Sequence, residues 1–492
     1  MYKRQNEDSY EFANEYKARE VVEKYCSFMP VPIFLTNEDA GEQTEEIPEE
    51  EVTDKDTVLD TFIKEAVTEE VEKEDGTKET VEKVPAKKMA KIVKRPVAIN
   101  DIHPLWTKHP NECTEDEYKE FYRKVFNDYK EPLFWIHLNM DYPFNLKGIL
   151  YFPKINTEYE SIEGTIKLYN NQVFVADNIK EVIPEFLLLL KGVIDCPDLP
   201  LNVSRSALQN DGFVKKISDY ITKKVADKLS GMCKTNRENY EKYWDDINPF
   251  IKFGCLKDEK FAEKMNDYII FKNLEGKYLT LKECLEENKE KHENTVFYVT
   301  DEVEQSQYIN MFKNEGIDAV ILTHNIDQPF ITNMESKNEN LKFKRIDADL
   351  SDSFKEETSK DELKDMTEKL SKTFKDALGK ENLTVNVEKL KDASISSMIT
   401  LSEESRRMQD MMKMYGMAGM DPNMFGAEGQ TLVLNANNDL VKYVAEHTDG
   451  ENTKIICEQL YDLAMLSHAP LSPEQMTGFI ARSNKIMELL AK

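Results

Sequence analysis

The sequence lacks the residue patterns that mark secreted, membrane and metal-binding proteins. Its seven cysteines among 492 residues form no CxxC pair, which argues against the common zinc and disulfide frameworks and predicts a reduced, cytoplasmic compartment. No apolar run approaches the roughly 18 residues that cross a bilayer, and the N-terminus has no apolar signal core. We therefore expect no membrane partner.

The common catalytic motifs are also missing. The sequence has no GxxxxGKS or GxxxxGKT, GxGxxG, HExxH or GxSxG, so the usual phosphate-loop, dinucleotide, metalloprotease and serine-hydrolase signatures are absent. His103 and His109 lie near each other, but no carboxylate or cysteine stands at ligand spacing. We interpret both as ordinary surface or loop histidines and expect no metal site.

What the sequence has in excess is acid. The net charge is −28, from 93 Asp and Glu against 65 Lys and Arg, and such a surface repels nucleic acid. Residues 36–85 hold 19 acidic and 5 basic residues, a net of −14 and half of the total. Because the basic run 87–95 closes this segment, we interpret residues 36–95 as a mobile charged linker. The alternative is a surface loop with short helices.

The rest of the pattern indicates a multidomain α/β and α+β fold, and the length suffices for about three domains. Residues 1–35 read as a helix and a strand that cannot bury their apolar sides alone, so they look like a fragment of another domain. From residue 96, helices and strands alternate as in a layered α/β domain. Strands on either side of a helix at 302–314 predict a second, small α/β unit.

The stretch DLPLNVSRSALQND, Asp198 to Asp211, is the most informative part of the chain. It sets Arg205 and Gln209 four residues apart where a loop turns into a helix, and the unpaired N–H groups of a helix start suit an anion. Arg205 would add a planar, charged fork that fits a phosphate, and Ser204 can cap the helix. From spacing alone, the alternative is a capped helix with a surface arginine.

The same string resembles the catalytic-loop segment in the middle domain of the heat-shock protein 90 chaperones of the HtpG type. The likeness extends to three further segments, HPLWTKHPNECTEDEYKEFYRKVFNDYKEPLFWIHLN from His103, VFVADNIKEVIPEFLLLLKGVIDC from Val173 and DSYEFANEYKAREVVEKYCSFMPVPIFL from Asp8. It is dense over residues 103–229 and rests mainly on order and pattern beyond about residue 351.

The resemblance implies a domain order. Residues 1–35 would end an N-terminal ATPase domain, 36–95 would be the charged linker, 96–350 the middle domain, and 351–492 a mixed α+β C-terminal dimerisation domain with terminal helices. The middle domain would comprise a large α/β unit over about 96–235, a helical connector over about 236–290 and the small α/β unit over about 291–350.

The resemblance also implies a role in ATP hydrolysis. Arg205 would contact the γ-phosphate of ATP with support from Gln209, while Asn202 and Ser204 would support the loop. In the family, ATP and Mg²⁺ bind an N-terminal pocket whose motifs do not appear in this sequence, so we expect the chain alone to bind neither and to have negligible ATPase activity. Ser206 departs from the family pattern, which usually has an acidic residue there, and this puts in doubt how Arg205 is held at rest.

Two features are candidates for contact with partly folded client proteins. From Met408 to Met424, seven of 17 residues are methionine, a flexible side chain that suits varied apolar partners. The segment resembles the client-contacting helix of the family, so we expect Met411, Met412 and Tyr415 to be exposed; the alternative is an ordinary core. Trp106 resembles a tryptophan that faces client or linker in the family, and its alternative role is a core or hinge anchor.

The last two helices are candidates for homodimerisation. Ser472, Pro473 and Gln475 form a strong helix start, and apolar residues recur at helical spacing in this helix and in the preceding one. Such a helix pair suits a four-helix bundle with a second copy, as the resemblance also implies; the alternative is packing within the chain. The expected interface residues are Leu460, Leu463, Met476, Phe479, Ile480, Ile486, Met487 and Leu490.

The sequence therefore predicts a cytoplasmic, homodimeric stress-response chaperone that is shortened relative to its family, with partly folded clients as partners and neither nucleic acid nor membrane. One alternative is a nucleotide-independent acidic scaffold or holdase. Another is an unrecognised enzyme that uses Arg205 as an anion site.

Overall fold

The structure is a computed structural model that describes most of the chain. The described residues are 12, 14–37, 41–65, 67–72, 78–84, 86–154, 164–178, 182–201, 211–348, 354–356, 360–401, 430–467 and 471–491. Within them, the backbone alone is described for 67–72, 78–84, 211 and 360–362.

Helices and strands alternate through the described residues. The α-helices are α1 (Glu15–Cys26), α2 (Glu115–Phe126), α3 (Asp211–Thr235), α4 (Arg237–Lys257), α5 (Glu259–Met265), α6 (Leu281–Glu287), α7 (Ser306–Asn314), α8 (Asp327–Lys337), α9 (Lys360–Leu378), α10 (Asp439–Glu446), α11 (Thr453–Leu466) and α12 (Pro473–Leu490). The strands are β1 (Thr44–Pro48), β2 (Val58–Lys64), β3 (Val67–Glu72), β4 (Lys78–Val84), β5 (Lys87–Val93), β6 (Phe134–Met140), β7 (Leu146–Phe152), β8 (Ile166–Asn170), β9 (Val173–Asp177), β10 (Lys191–Asp195), β11 (Ile270–Lys272), β12 (Tyr278–Thr280), β13 (Thr295–Val299), β14 (Ala319–Ile321), β15 (Lys342–Arg345), β16 (Thr384–Glu388), β17 (Ser397–Leu401) and β18 (Gln430–Asn435).

These elements confirm the predicted multidomain α/β class. The chain divides into two compact units, Met1–Lys224 and Val225–Lys492, and the division falls inside α3. The domain boundaries expected at residues 95 and 350 stay predictions. Of the helices described, none combines the length and apolar content that a bilayer crossing requires.

The acidic segment contains a β-sheet. β1, β5 and β2 form a three-stranded antiparallel sheet with the basic strand β5 in the centre, and β3 pairs with β4 in a separate hairpin. Lys91 of β5 lies opposite Glu46 on one side and Asp60 on the other, while Ala90 and Ile92 are fully buried. The prediction of a linker without regular structure is therefore wrong for these strands, because pairing with β5 offsets the acidic charge.

An ion pair lies at one end of the same sheet. Arg95, just after β5, donates to both carboxylate oxygens of Asp56, with Nη2 at 2.6 Å from Oδ2 and Nε at 2.8 Å from Oδ1. This bidentate contact holds the pKa of Asp56 well below its usual range. The basic run 87–95 thus serves as the counter-strand of the acidic segment that precedes it.

The first unit is built on a five-stranded mixed sheet in the order β6-β7-β10-β8-β9. The central strand, β10, is antiparallel to β7 and parallel to β8. β7 and β10 are buried along most of their length, which explains their continuous apolar sequences, whereas β6 alternates buried and more exposed residues. The strands and α2 agree with the alternation of helices and strands that the sequence predicts from residue 96.

An aromatic cluster packs on this sheet. α2 starts with a capping box between Thr114 and Glu117, as its sequence indicates, and buries Tyr118, Phe121 and Tyr122. These side chains pack with a core that also contains Phe28, Trp106, Tyr151 and Tyr169. The strand expected at residues 31–35 is instead an extended segment without a strand assignment.

The second unit contains the predicted small α/β arrangement. β13 is the centre of a three-stranded parallel sheet, flanked by β14 and β15, and α7 and α8 follow β13 and β14 in the chain. The helix predicted over 302–314 begins only at Ser306. The sequence missed β15, because KFKR has no apolar run to mark it.

The small α/β arrangement shares a core with the C-terminal sheet. Phe312 and Ile346 belong to the same buried cluster as Leu390 and Val433. The buried hydroxyl of Tyr308 in α7 also donates to the carbonyl of Ile399 in β17. Residues on the two sides of position 350 therefore pack together in this unit.

The C-terminal part is a mixed α+β layer, as expected. β18 lies between β16, to which it is parallel, and β17, to which it is antiparallel. Side chains of α9, α10 and α11 form a second buried cluster on this sheet, including Leu370, Phe374, Val441 and Leu460.

Candidate functional site

The predicted phosphate-contacting loop connects the central strand β10 to α3. Its residues Asn202, Ser204, Arg205 and Gln209 lie outside the described residues. The structure does describe both flanks, through Leu201 and from Asp211, and each flank has identifiable anchors.

The carboxylate of Asp195 anchors the end of β10. Its Oδ2 accepts a hydrogen bond from the backbone N–H of Gln172 at 2.9 Å and one from the indole Nε1 of Trp106 at 3.4 Å. Asn171 and Gln172 form the two-residue turn between β8 and β9, with φ of 50° and 62°, as tight hairpins require. One side chain therefore connects the loop's leading strand to the neighbouring hairpin and to the aromatic cluster.

The environment of Asp195 is poor in water. Burial raises the pKa of this carboxyl above its ordinary value, against the opposing effect of its hydrogen bonds. Its second oxygen, Oδ1, is buried and has no hydrogen-bond partner among the described residues. Removing the Trp106 indole would leave the carboxyl still less satisfied, so the pair is expected to act as one structural unit.

Two asparagines fix the residues that lead into the loop. The side-chain amide of Asn170 donates to the carbonyls of Cys196 and Pro197, each at 3.0 Å. The backbone N–H of Asn145 donates to Asp198 Oδ2 at 2.7 Å. These contacts hold the first residues of the DLPLNVSR string against the end of the sheet.

The same short segment also holds the far side of the loop. Phe144 is buried and lies edge-on to two rings of α3, Phe213 at 5.5 Å and Tyr220 at 6.1 Å between centroids. Phe144 and Asn145 therefore contact the chain both before and after the predicted loop. One short segment therefore holds both described flanks of the predicted loop.

Trp106 lies in the core rather than on a client surface. Its side chain is 1% exposed and packs against Phe28 at 4.6 Å and Tyr169 at 5.3 Å between ring centroids. An indole enclosed in this way has no face to offer a client in this conformation. The client-binding prediction for Trp106 is therefore corrected to its alternative, a core anchor, because three surrounding elements cover the ring.

The residues expected at the dimer interface divide into two groups. Leu460 is 1% exposed and belongs to the C-terminal core, so it packs within the chain, and its assignment to an interface is wrong for this conformation. Leu463, Ile480, Met487 and Leu490 are exposed. Met476, Phe479 and Ile486 are half-buried.

The helix α12 begins as the sequence predicts. The hydroxyl of Ser472 accepts a hydrogen bond from the backbone N–H of Gln475, and the side-chain oxygen of Gln475 accepts one from the backbone N–H of Ser472. Pro473 occupies the first turn. Along its 18 residues α12 buries no side chain in the single chain. A helix with apolar side chains that all retain solvent contact is a candidate for burial against another surface.

A polar network connects α12 to α11. Arg482 donates to Gln459 Oε1 at 3.0 Å and to Glu458 at 3.2 Å, and it also pairs with Asp462. Gln459 in turn donates to Ser483 Oγ at 3.1 Å. These contacts fix one side of α12 by hydrogen bonds, while Ile480, Met487 and Leu490 stay exposed.

Two further predictions concern the client-binding residues and metal binding. Met411, Met412 and Tyr415 lie outside the described residues, so their exposure stays a prediction. Among the described residues, no group of three or more His, Cys, Asp or Glu side chains is arranged to hold a metal ion.

No sequence pattern indicated the anchors Phe144, Asn145 and Asn170, since their role depends on which segments meet at the end of the sheet.

Comparison with known proteins identifies the class to which this fold and site belong. The family model described as Hsp90 protein matches residues 11–492. The chain therefore belongs to the Hsp90 family, as the catalytic-loop string indicated.

Within that family, the chain is similar to bacterial proteins named Chaperone protein HtpG. It is 36% identical to the protein of Bacteroides thetaiotaomicron over 459 residues, which cover 90% of this chain and 60% of the relative. It is 39% identical to that of Porphyromonas gingivalis over 362 residues, covering 70% and 52%. With the protein of Pseudoalteromonas translucida the identity is 27% over 501 residues, covering 99% and 72%. The chain thus spans about 60% of the length of the first of these relatives.

Proposed function

We propose that this chain is the middle and C-terminal part of an ATP-driven, dimeric chaperone clamp that binds partly folded client proteins. The observation that carries the proposal is α12, an amphipathic helix of 18 residues without a buried side chain. Family membership over residues 11–492 supports it. Dimerisation through α12 and Leu463 would set two client-binding surfaces side by side.

The proposal assigns Arg205 to the γ-phosphate of ATP, with Gln209, Asn202 and Ser204 holding the loop. ATP supplies a transferable phosphoryl group whose developing charge a guanidinium stabilises. We propose that ATP and Mg²⁺ are held by an N-terminal ATPase domain of the family's kind, and membership of the Hsp90 family supports this. The fixed flanks of the loop support this role, because an arginine that acts across a domain boundary needs a defined starting position.

The first segment of the chain offers apolar surface for such a domain. Val31 and Phe34 are exposed, although the neighbouring Ile33 is tied by its backbone N–H to the Asn100 side chain at 2.7 Å. Asn100 also donates to the carbonyls of Met29 and Val31, both at 2.8 Å. A folded domain placed before this segment would cover the exposed residues and lie near the aromatic cluster that contains Phe28.

Client binding is tested by suppression of aggregation. The chain is expected to reduce light scattering by a heat-denatured protein at equimolar concentration. Replacing Met411, Met412 and Tyr415 together by serine should weaken that protection about tenfold, since clustered flexible apolar side chains provide the contact. Arg205→Ala is the control and should protect as well as wild type; equal protection by the triple variant would remove the segment from the proposal.

The role of Arg205 is tested by ATP turnover in a fusion of this chain to the N-terminal region of the Bacteroides thetaiotaomicron relative. Arg205→Ala should lower kcat by at least about a hundredfold, the scale of losing one donor to a developing oxyanion. Arg123→Ala, which removes an exposed arginine of α2, is the matched control and should leave kcat unchanged. Equal turnover by the Arg205 variant would remove Arg205 from this role, whereas no turnover by the unmutated fusion would favour a nucleotide-independent holdase.

A further inference from the structure

The last two helices, α11 and α12, meet along a polar seam. The seam consists of Glu458, Gln459 and Asp462 on α11 and of Arg482 and Ser483 on α12. Arg482 donates through Nε to Gln459 Oε1 at 3.0 Å and through Nη1 to Glu458 Oε2 at 3.2 Å, and its Nη2 pairs with Asp462. Each nitrogen of the guanidinium therefore has its own acceptor on α11.

The centre of the seam is shielded from water. The side chains of Arg482 and Asp462 are 14% and 13% exposed, and burial raises the pKa of Asp462 although Arg482 opposes the shift. A second cation, Lys380, also acts on this carboxyl, but its ammonium donates to the hydroxyl of Tyr461 at 2.8 Å. If α12 stayed in place without the guanidinium, Asp462 would remain charged in a water-poor seam. Removing Arg482 therefore favours separation of the two helices.

A second contact in the seam sets apolar residues of the two helices beside each other. Gln459 donates to Ser483 Oγ at 3.1 Å. Leu463 follows Gln459 by four residues on α11, while Ile480 and Met487 lie three before and four after Ser483 on α12. Residues three or four apart are neighbours on one helix face. The three apolar side chains, which are 42%, 52% and 59% exposed, therefore lie on the same side of the helix pair.

Arg482 lies on a different face of α12 from these exposed residues. At 3.6 residues per turn, Met487 is about 140° and Ile480 about 160° around the helix from Arg482, and the half-buried Phe479 and Ile486 lie between them. Turning α12 about its own axis would take Arg482 away from its acceptors and would move Ile480 and Met487 relative to α11. The rotation of α12 thus decides whether the apolar residues of the two helices form one surface.

We propose that Arg482 is a positioning residue that fixes the rotation of α12 against α11, so that Leu463, Ile480 and Met487 form one apolar surface for a second copy of this chain. The inference deepens the proposed dimerisation and rests on it. Because α12 buries no side chain fully in the single chain, its apolar contacts with α11 leave its orientation weakly defined. The directional, charge-assisted hydrogen bonds of Arg482 define it.

The first test is the dissociation constant of the dimer, measured by sedimentation of the full chain. Arg482→Met should raise Kd at least about tenfold, because the apolar residues of α11 and α12 are then no longer aligned. Arg482→Lys keeps the charge beside Asp462 but lacks the fork that reaches Glu458 and Gln459 at the same time, so its Kd should be intermediate. Lys485→Met, the matched control, removes the same charge from an exposed position of α12 and should dimerise as wild type does. Equal Kd values for Arg482→Met and wild type, or equal weakening by Lys485→Met, would overturn the proposal.

Hydrogen exchange distinguishes positioning from a general effect on stability. In the monomeric chain, at a concentration below Kd, the amides of α12 should exchange about tenfold faster in Arg482→Met than in wild type. The midpoint of urea unfolding should stay that of wild type, since the core formed by α9, α10, α11 and the C-terminal sheet is unchanged. A lower midpoint with unchanged exchange in α12 would overturn the proposal, because Arg482 would then only stabilise the fold.

The two measurements also separate this inference from the proposed dimerisation. If wild type is monomeric at micromolar concentration but Arg482→Met still speeds exchange in α12, dimerisation fails and the alignment of α12 by Arg482 remains. If Arg482→Met dimerises as tightly as a dimeric wild type, the positioning role fails and dimerisation remains.

Discussion

Replacing Ile480 and Met487 together by aspartate is expected to convert the proposed dimer into monomers. The two side chains are 52% and 59% exposed in the single chain and lie seven residues apart on α12, so both face the same side. The substitutions put a charge in place of an apolar side chain at each position, on both partners, and should weaken dimerisation by at least about a thousandfold. Sedimentation equilibrium should then give the mass of one chain, 57.2 kDa, at concentrations where wild type gives twice that mass.

The same helix offers a matched control. Thr477 and Asn484 are exposed, have the same seven-residue spacing and lie on a polar stripe, so replacing both by aspartate adds equal charge away from the apolar stripe. That variant should remain dimeric. The proposed dimer would form against the repulsion of two chains of net charge −28, so salt should strengthen it. A wild-type mass of one chain at micromolar concentration would refute dimerisation through α12.

Lys252→Met is expected to destabilise the second unit by about 3–5 kcal/mol, the cost of leaving a buried charge without its partner. Lys252 of α4 and Asp327 at the start of α8 form an ion pair in which each side chain is only 4% exposed. The other oxygen of Asp327 accepts from the backbone N–H of His324 at 2.9 Å. Without the ammonium group, the carboxylate would keep that bond but remain charged in the core.

Removing the charge of Asp327 as well should restore most of the stability lost in Lys252→Met. In the double variant Lys252→Met, Asp327→Asn, the new amide is neutral and its oxygen can still accept from His324, so stability should return close to that of wild type. Lys289→Met, which breaks the exposed i,i+3 pair with Glu286, is the control and should leave the unfolding midpoint unchanged. Urea unfolding, with hydrogen exchange read in α4 and α8, checks all three; a double variant as unstable as the single one would contradict the explanation.

The acidic segment shows where sequence reasoning fails. Its composition alone indicates a disordered linker, because few aromatic residues and a high net charge give little apolar area to bury. The structure pairs the acidic strands with the basic strand β5, so the charges that argue against folding in isolation offset one another across the sheet. That outcome depends on pairing between Glu46 and Lys91, which are 45 positions apart, and no local pattern encodes it.

The sequence also did not predict which individual side chains are buried. Trp106 and Leu460 were assigned to surfaces by resemblance and by helical spacing, yet both are enclosed. Spacing gives the face of a helix on which a residue lies, but not which face the rest of the chain covers. In α12, by contrast, no side chain is fully buried in the single chain, and the interface expected there stays a prediction.

The sequence by itself determined the family, the acidic charge, the α/β class and the starts of α2 and α12, because motifs, composition and capping boxes are written in residues close together in the chain. The tertiary structure alone decided that β10 is a central strand, that Asp195 joins Trp106 to the β8–β9 turn, and that Phe144 and Asn145 hold both flanks of the predicted loop. These features depend on contacts between distant segments, whose energies come from burial and strand pairing rather than from local preference.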